Sequence, residues 1–146
     1  MNLELLKLYA LSMLGTRYTY GTHASGGDDP IHGFDCSGFG SEIARAAGLV
    51  PWNYRSNAQG LYDRLSKGAL MGARLGAFSF YGRSLKEISH VGFCLDSQTM
   101  IEAGGGDSST ITEEVAAQKN AFVRMRPILY RKDFLCTVFP GYPGAD

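Results

Sequence analysis

The chain is poor in cysteine, and the three it has, Cys36, Cys94 and Cys136, are widely spaced and odd in number. A disulfide framework therefore does not build this fold. No excess of either charge is present, since fourteen Lys plus Arg balance fourteen Asp plus Glu. The summed field gives no reason to expect nucleic acid or an anionic membrane as a partner. No window approaches the ~18 uninterrupted apolar residues of a spanning helix. The start, Met1 to Lys7, carries Glu4 where a secretory leader would be basic, so no signal peptide is expected and the chain reads as cytoplasmic at synthesis. Internal repeats, linkers and low-complexity tracts are also missing. What is present is 146 residues, 45% of them hydrophobic, enough for one domain over 1–146 with its own core.

Leu3, Leu5, Leu6, Tyr9, Ala10, Met13 and Leu14 recur at three- and four-residue steps, which predicts a helix that packs one face on the core and that Gly15 ends. From Thr16 to Phe34 the chain is rich in Gly, Asp, Thr and His and reads as a loop. A second helix is expected over Ser37 to Ala47, its first turn beginning at Cys36, and a third from an N-cap at Ser56 or Asn57 to Leu65. Aromatic and branched runs then predict strands over Ala77 to Tyr81, Ser89 to Leu95, Thr99 to Ala103 and Ala121 to Ile128. Asp96, Ser97 and Gln98 suit a tight hairpin between the second and third. Thr112 to Gln118 reads as a short helix, and Phe134 to Asp146 is left open. Helices followed by an antiparallel sheet make an α+β domain.

Gly33-Phe34-Asp35-Cys36-Ser37-Gly38-Phe39 sets a cysteine at the mouth of a helix among small residues. Unpaired amides and the helix dipole there favour the thiolate, which is the nucleophilic form; the alternative is a buried structural cysteine. His90 lies on an apolar strand, where an imidazole is held rigidly enough to exchange a proton with Cys36. Otherwise it is a hydrogen-bonded strand-end histidine. His23 and His32 sit in the Gly/Asp-rich loop, where solvation is the simpler reading, although His32 is close enough in sequence to rim a site. Glu102 follows His90 on the partner strand of the hairpin and can orient the ring and stabilise its imidazolium; unpaired, it is an exposed strand carboxylate. Gly104-Gly105-Gly106-Asp107 lacks the Gly-Lys-Ser or Gly-Lys-Thr of a phosphate loop and reads as a strand exit.

Three ordered pieces, Phe34-Asp35-Cys36-Ser37-Gly38-Phe39, Ile88-Ser89-His90-Val91-Gly92-Phe93 and Met100-Ile101-Glu102-Ala103, resemble the NlpC-type papain-like cysteine peptidases that cut the stem peptides of bacterial cell walls. The similarity runs from about Leu5 to Pro127 and includes Gly15-Thr16-Arg17-Tyr18-Thr19-Tyr20-Gly21 as a Gly-x-x-Tyr-x-x-Gly entry. It implies a papain-like core in which a helix carrying Cys36 packs on an antiparallel sheet carrying the other two residues. Cys36 is then the nucleophile, His90 the general base and acid, and Glu102 the orienting member. By the same resemblance the Cys36 amide and Tyr18 steady the oxyanion, while Asp35 and Ser37 line the substrate groove. The implied reaction hydrolyses the amide between D-γ-glutamyl and a diamino acid, with no cofactor.

Three departures from the family pattern stand out. Glu102 occupies a position where histidine is more usual and Asn or Gln also occurs, and a carboxylate there is expected to raise the pKa of His90. The span from Tyr18 to Cys36 is long, so Thr22 to His32 is expected to reshape the groove. With neither leader nor second domain expected, the chain looks like phage- or prophage-encoded members, delivered by a virion, a tail partner, a holin or lysis; a host-cytoplasmic role on recycled wall fragments is the other route. Two competing readings are a catalytically silent virion or wall-binding module of the same fold, and a zinc site built from Cys36, His90 and Glu102.

Overall fold

A computed structural model describes residues 1–18, 35–106 and 113–144. Helix α1 (Leu3–Ser12) buries Leu6 and Ala10, with Met13 just beyond its end. Asn2 caps it, accepting from the amides of Glu4 and Leu5 at 2.9 and 3.3 Å. Helix α2 (Cys36–Ala46) is capped by Asp35, whose carboxylate accepts from the Gly38 amide at 2.6 Å. Of the two candidate caps for α3 (Ala58–Leu65), Asn57 is the one used; it holds the Gly60 amide at 2.8 Å. Helix α4 (Glu113–Lys119) matches the short helix expected on the connection, apart from Thr112, which lies outside the described residues.

Strands β1 (Leu70–Met71), β2 (Phe78–Gly82), β3 (Ile88–Cys94), β4 (Thr99–Gly104), β5 (Phe122–Pro127) and β6 (Phe134–Phe139) form one six-stranded sheet in the order β1-β6-β2-β3-β4-β5. Every pairing is antiparallel, so the domain is α+β. Strands β2 to β5 coincide with the four expected runs to within about a residue or two at their ends. Strands β1 and β6 were not expected. The segment left open thus enters the sheet between β1 and β2, and Tyr142 beyond it donates its hydroxyl to the Gly76 carbonyl at 2.6 Å. Thr16 to Tyr18, expected as loop, instead runs along β5: Val123 donates to Thr16 at 2.7 Å and Tyr18 to Ala121 at 3.1 Å.

The helices cover one face of the sheet, where Phe39, Ile43 and Leu61 pack with Phe78, Phe80, Val91 and Phe93. Burial of side chains this size contributes about 1.5–3 kcal/mol each. Gly40 lets α2 lie close to its neighbours, since a Cβ there would stand 2.9 Å from Leu61 Cδ2 and 3.2 Å from Val91 Cγ1. That contact fixes the start of α2, and with it Cys36, against β3. A smaller cluster on the other face joins Ala77, Tyr81, Cys94, Met100 and Ile128. Among the described residues no helix is long and apolar enough to cross a membrane.

Candidate active site

The β2–β3 ladder slips at one point: Tyr81 pairs with His90 and Gly82 with Ile88, so Ser89 is the extra residue of a bulge. The bulge frees the Ser89 carbonyl from the regular ladder, and the Cys36 sulfur lies 3.7 Å from that oxygen. Cys36 therefore comes to rest beside the strand residue that precedes His90, near enough for the thiol to bear on the charge of the ring.

The hairpin expected between Ser89 and Ala103 forms, with Phe93 opposite Ile101 and Cys94 opposite Met100. Asp96 closes its turn by accepting from the amides of Gln98 and Thr99 at 2.8 and 2.7 Å. Ile101 and Ala103 belong to the helix-side core, so strand alternation turns Glu102 to the opposite face. There His90 Nε2 meets Glu102 Oε1 at 2.5 Å, which leaves ring atom Nδ1 for the sulfur. Glu102 is fully buried and His90 nearly so. The reading of Glu102 as an exposed carboxylate is therefore excluded.

The other carboxylate oxygen, Oε2, accepts from Arg124 Nε at 2.9 Å and from the Tyr130 hydroxyl at 2.8 Å. Arg124 stands directly opposite Glu102 in the β4–β5 ladder. Burial works against a charged His90, but hydrogen bonds and charges from Cys36 and Glu102 outweigh it and carry the ring up to about 9. Burial likewise works against an ionised Glu102, yet hydrogen bonds from His90, Arg124 and Tyr130, with the charge on His90, hold the carboxyl down at about 2. At neutral pH the pair is imidazolium and carboxylate. With both carboxylate oxygens and Nε2 committed in this way, the trio has few donor atoms to spare for zinc.

The other expected site residues fall as follows. Tyr18 is buried, and its ring lies so close to Gly106 that a Cβ there would stand 2.2 Å from Cδ1. The glycine run after β4 is thus a packing surface for this tyrosine. Asp35 and Ser37 are both buried; Asp35 caps α2, and the Ser37 hydroxyl donates to it at 3.4 Å. His23, His32 and the Thr22 to His32 loop lie outside the described residues. Burial pushes the Cys94 thiol up to about 12 and raises that of Cys136 as well, which makes both poor nucleophiles. Sequence reasoning missed Arg124 and Tyr130. The opposite charges of Glu102 and Arg124 on facing strands were a usable signal for the first; nothing local marked the second.

A family model described as the NlpC/P60 family matches residues 15–126. The chain belongs to the NlpC/P60 family. No curated protein matches it. Among solved structures, an NlpC/P60 family protein from Bacillus cereus is similar with a TM-score of 0.65 at 16% identity, over 94% of this chain and 39% of that one. The present NlpC/P60 domain thus spans well under half the length of that relative. The peptidoglycan hydrolase RipB from Mycobacterium tuberculosis gives 0.64 at 22% identity, over 97% and 65%. RipD from the same organism, described as a non-catalytic NlpC/p60 domain protein adapted to peptidoglycan binding, gives 0.62 at 17%, over 95% and 97%. The fold is that of the NlpC/P60 peptidoglycan hydrolases, and it occurs both with and without turnover.

Proposed function

We propose that this NlpC/P60 domain is a cysteine-type hydrolase that cuts an amide bond in peptidoglycan stem peptides, of the D-γ-glutamyl–diamino acid type. The observation that carries the reading is the placing of the Cys36 sulfur 3.7 Å from the Ser89 carbonyl, next in the strand to His90, whose Nε2 meets Glu102 Oε1 at 2.5 Å. In the first step the Cys36 sulfur attacks the amide carbonyl while His90 holds the thiol proton. The tetrahedral intermediate collapses as His90 passes that proton to the leaving amine, and the C–N bond breaks. Neutral His90 then takes a proton from water, the hydroxide attacks the thioester, the C–S bond breaks, and the thiolate leaves beside the imidazolium as at the start. Glu102 keeps Nδ1 aimed at the sulfur and balances the imidazolium. The Cys36 amide opens α2 and has no intrahelical partner, so with Tyr18 it is suited to receive the oxyanion. Asp35 and Ser37 flank the nucleophile, and Asp35 supplies negative charge for the free amine of a stem peptide.

A module that binds wall without cutting it, as RipD is described, is the second reading. It is disfavoured by the presence together of Cys36 at the start of α2, beside Ser89, and the His90–Glu102 pair. A digest of defined wall fragments followed by mass spectrometry separates the two. The expected result is release of a new amine at the D-γ-glutamyl bond, lost by a thousandfold or so in Cys36→Ala. A Cys36→Ala protein that folds and still cleaves overturns the proposal.

A further inference from the structure

The two oxygens of Glu102 have different partners. Oε1 meets His90, its one partner among the described residues, while Oε2 is held by Arg124 at 2.9 Å and by Tyr130 at 2.8 Å, and Arg124 Nη2 in turn donates to the Tyr130 hydroxyl at 3.0 Å. A second feature shows that the space for this arrangement is built in. A Cβ on Gly104 would stand 2.3 Å from Glu102 Oε2 and 2.9 Å from Arg124 Nη2, so only glycine leaves room for the pair. We propose that Arg124 and Tyr130 are positioning residues for His90: they hold Oε2 so that Oε1 alone faces the ring, and Arg124 offsets enough carboxylate charge to keep the imidazolium able to give up its proton.

The physical need for such a clamp is clear. An uncompensated buried carboxylate against a histidine stabilises the imidazolium strongly, and an acid held too tightly transfers its proton poorly to a leaving amine. A cation on the far oxygen weakens that hold without removing the hydrogen bond that orients the ring. The other groups near His90 do not supply this offset. Cys36 on α2 contributes negative charge when ionised, and Tyr81 on β2 is a neutral ring with its centroid 5.4 Å from that of His90. From the connection between β5 and β6, Arg131 and Asp133 pair with each other through two contacts of 2.8 Å, so their charges largely cancel. Arg124 on β5 is left as the cation bound to the orienting carboxylate.

The inference rests on the hydrolase reading for its purpose, but its test does not require hydrolysis. The His90 ring is followed by NMR of its imidazole nitrogens across pH, identified by its loss in His90→Gln. Arg124→Gln is expected to move the His90 midpoint upward by about half a unit to one unit, and Tyr130→Phe to move it less in the same direction. Arg124→Lys keeps the charge and is expected to hold the midpoint near that of the parent chain. Arg126→Gln, a loss of equal charge two residues along β5, is expected to leave it unchanged. A midpoint unmoved in both Arg124→Gln and Tyr130→Phe, or moved as far by Arg126→Gln, overturns the proposal. Tyr130 is partly exposed, so its variant answers the question even if Arg124→Gln does not fold. In parallel, the alkaline limb of kcat/KM on wall peptides should rise with the NMR midpoint. If the parent chain cleaves nothing while the NMR shift appears, the clamp stands and the hydrolase reading fails. If the parent chain cleaves and no shift appears, the clamp fails and the hydrolase reading stands.

Discussion

The two sides of His90 are held very differently. Toward Glu102 the contact is short and fully buried, and the carboxylate is anchored again by Arg124 and Tyr130. Toward Cys36 the sulfur's contact with the backbone of β3 is a loose 3.7 Å approach to the Ser89 carbonyl. Rigidity is concentrated where a ring must keep its orientation. Slack remains where bonds must form and break, since a sulfur locked into strong hydrogen bonds would be a weaker nucleophile.

This contrast breaks first at Glu102. Glu102→Ala strips both anchors from a buried site and leaves Arg124 facing an empty partner, so a loss of about 3–5 kcal/mol in unfolding free energy is expected, with hydrolysis reduced on the order of a hundredfold. Chemical denaturation and amine-release assays check the two effects separately. Glu102→Gln should keep more activity than Glu102→Ala, because its amide oxygen can still accept from the ring. Gln has only one acceptor oxygen, so it cannot serve His90 and Arg124 together; equal rates in Gln and Ala variants would argue against the orienting role.

The slack side is sharpened by alkylation. Iodoacetamide near neutral pH should label Cys36 at least about tenfold faster than Cys94 or Cys136, both of which burial holds in the thiol form. Peptide mapping of the labelled sites decides it, and equal slow labelling at all three would favour an inert module. The rigid side also has a pH signature. His90 is raised from 6.5 to about 9, so its contribution to stability is full below 6.5 and is lost as pH climbs through 9. Glu102 is lowered from 4.5 to about 2, so its contribution is present above 4.5 and is lost as pH falls through 2. Both are present together in full only between pH 4.5 and 6.5. Thermal melts should therefore weaken from pH 6.5 toward 9 by an amount equivalent to about 1–3 kcal/mol, and His90→Gln should flatten that decline. An effect of similar size, on the helix side, is expected from Gly40→Ala. Its methyl must push α2 away from Leu61 and Val91, costing about 1–3 kcal/mol and loosening Cys36 without altering His90.

Much of this arrangement was legible in the chain. The helix that starts at Cys36 follows from the spacing of Phe39, Ile43, Ala44 and Ala47 with Gly48 behind them; the hairpin bearing His90 and Glu102 follows from two β-rich runs around Asp96. Local chemistry fixes both. What local chemistry does not reveal is which distant segments become neighbours. Phe134 to Phe139 is aromatic and branched enough to be a strand, yet its place between β1 and β2 depends on pairing with segments far back in the chain. Tyr130 reaches Glu102 only because β5 and the turn after it fold back over β4. The bulge at Ser89 is likewise invisible in a run that reads as regular strand.

The placement of β6 has a consequence for biosynthesis. Strand β2 can acquire β3 as soon as the first hairpin emerges from the ribosome, but its other edge stays bare until residues 134–139 have been made. During that interval the nascent sheet offers an open row of amides and carbonyls to any extended segment nearby. Slow translation or crowded expression should therefore cost yield through aggregation of half-made chains, with cooling or a holdase chaperone restoring soluble protein.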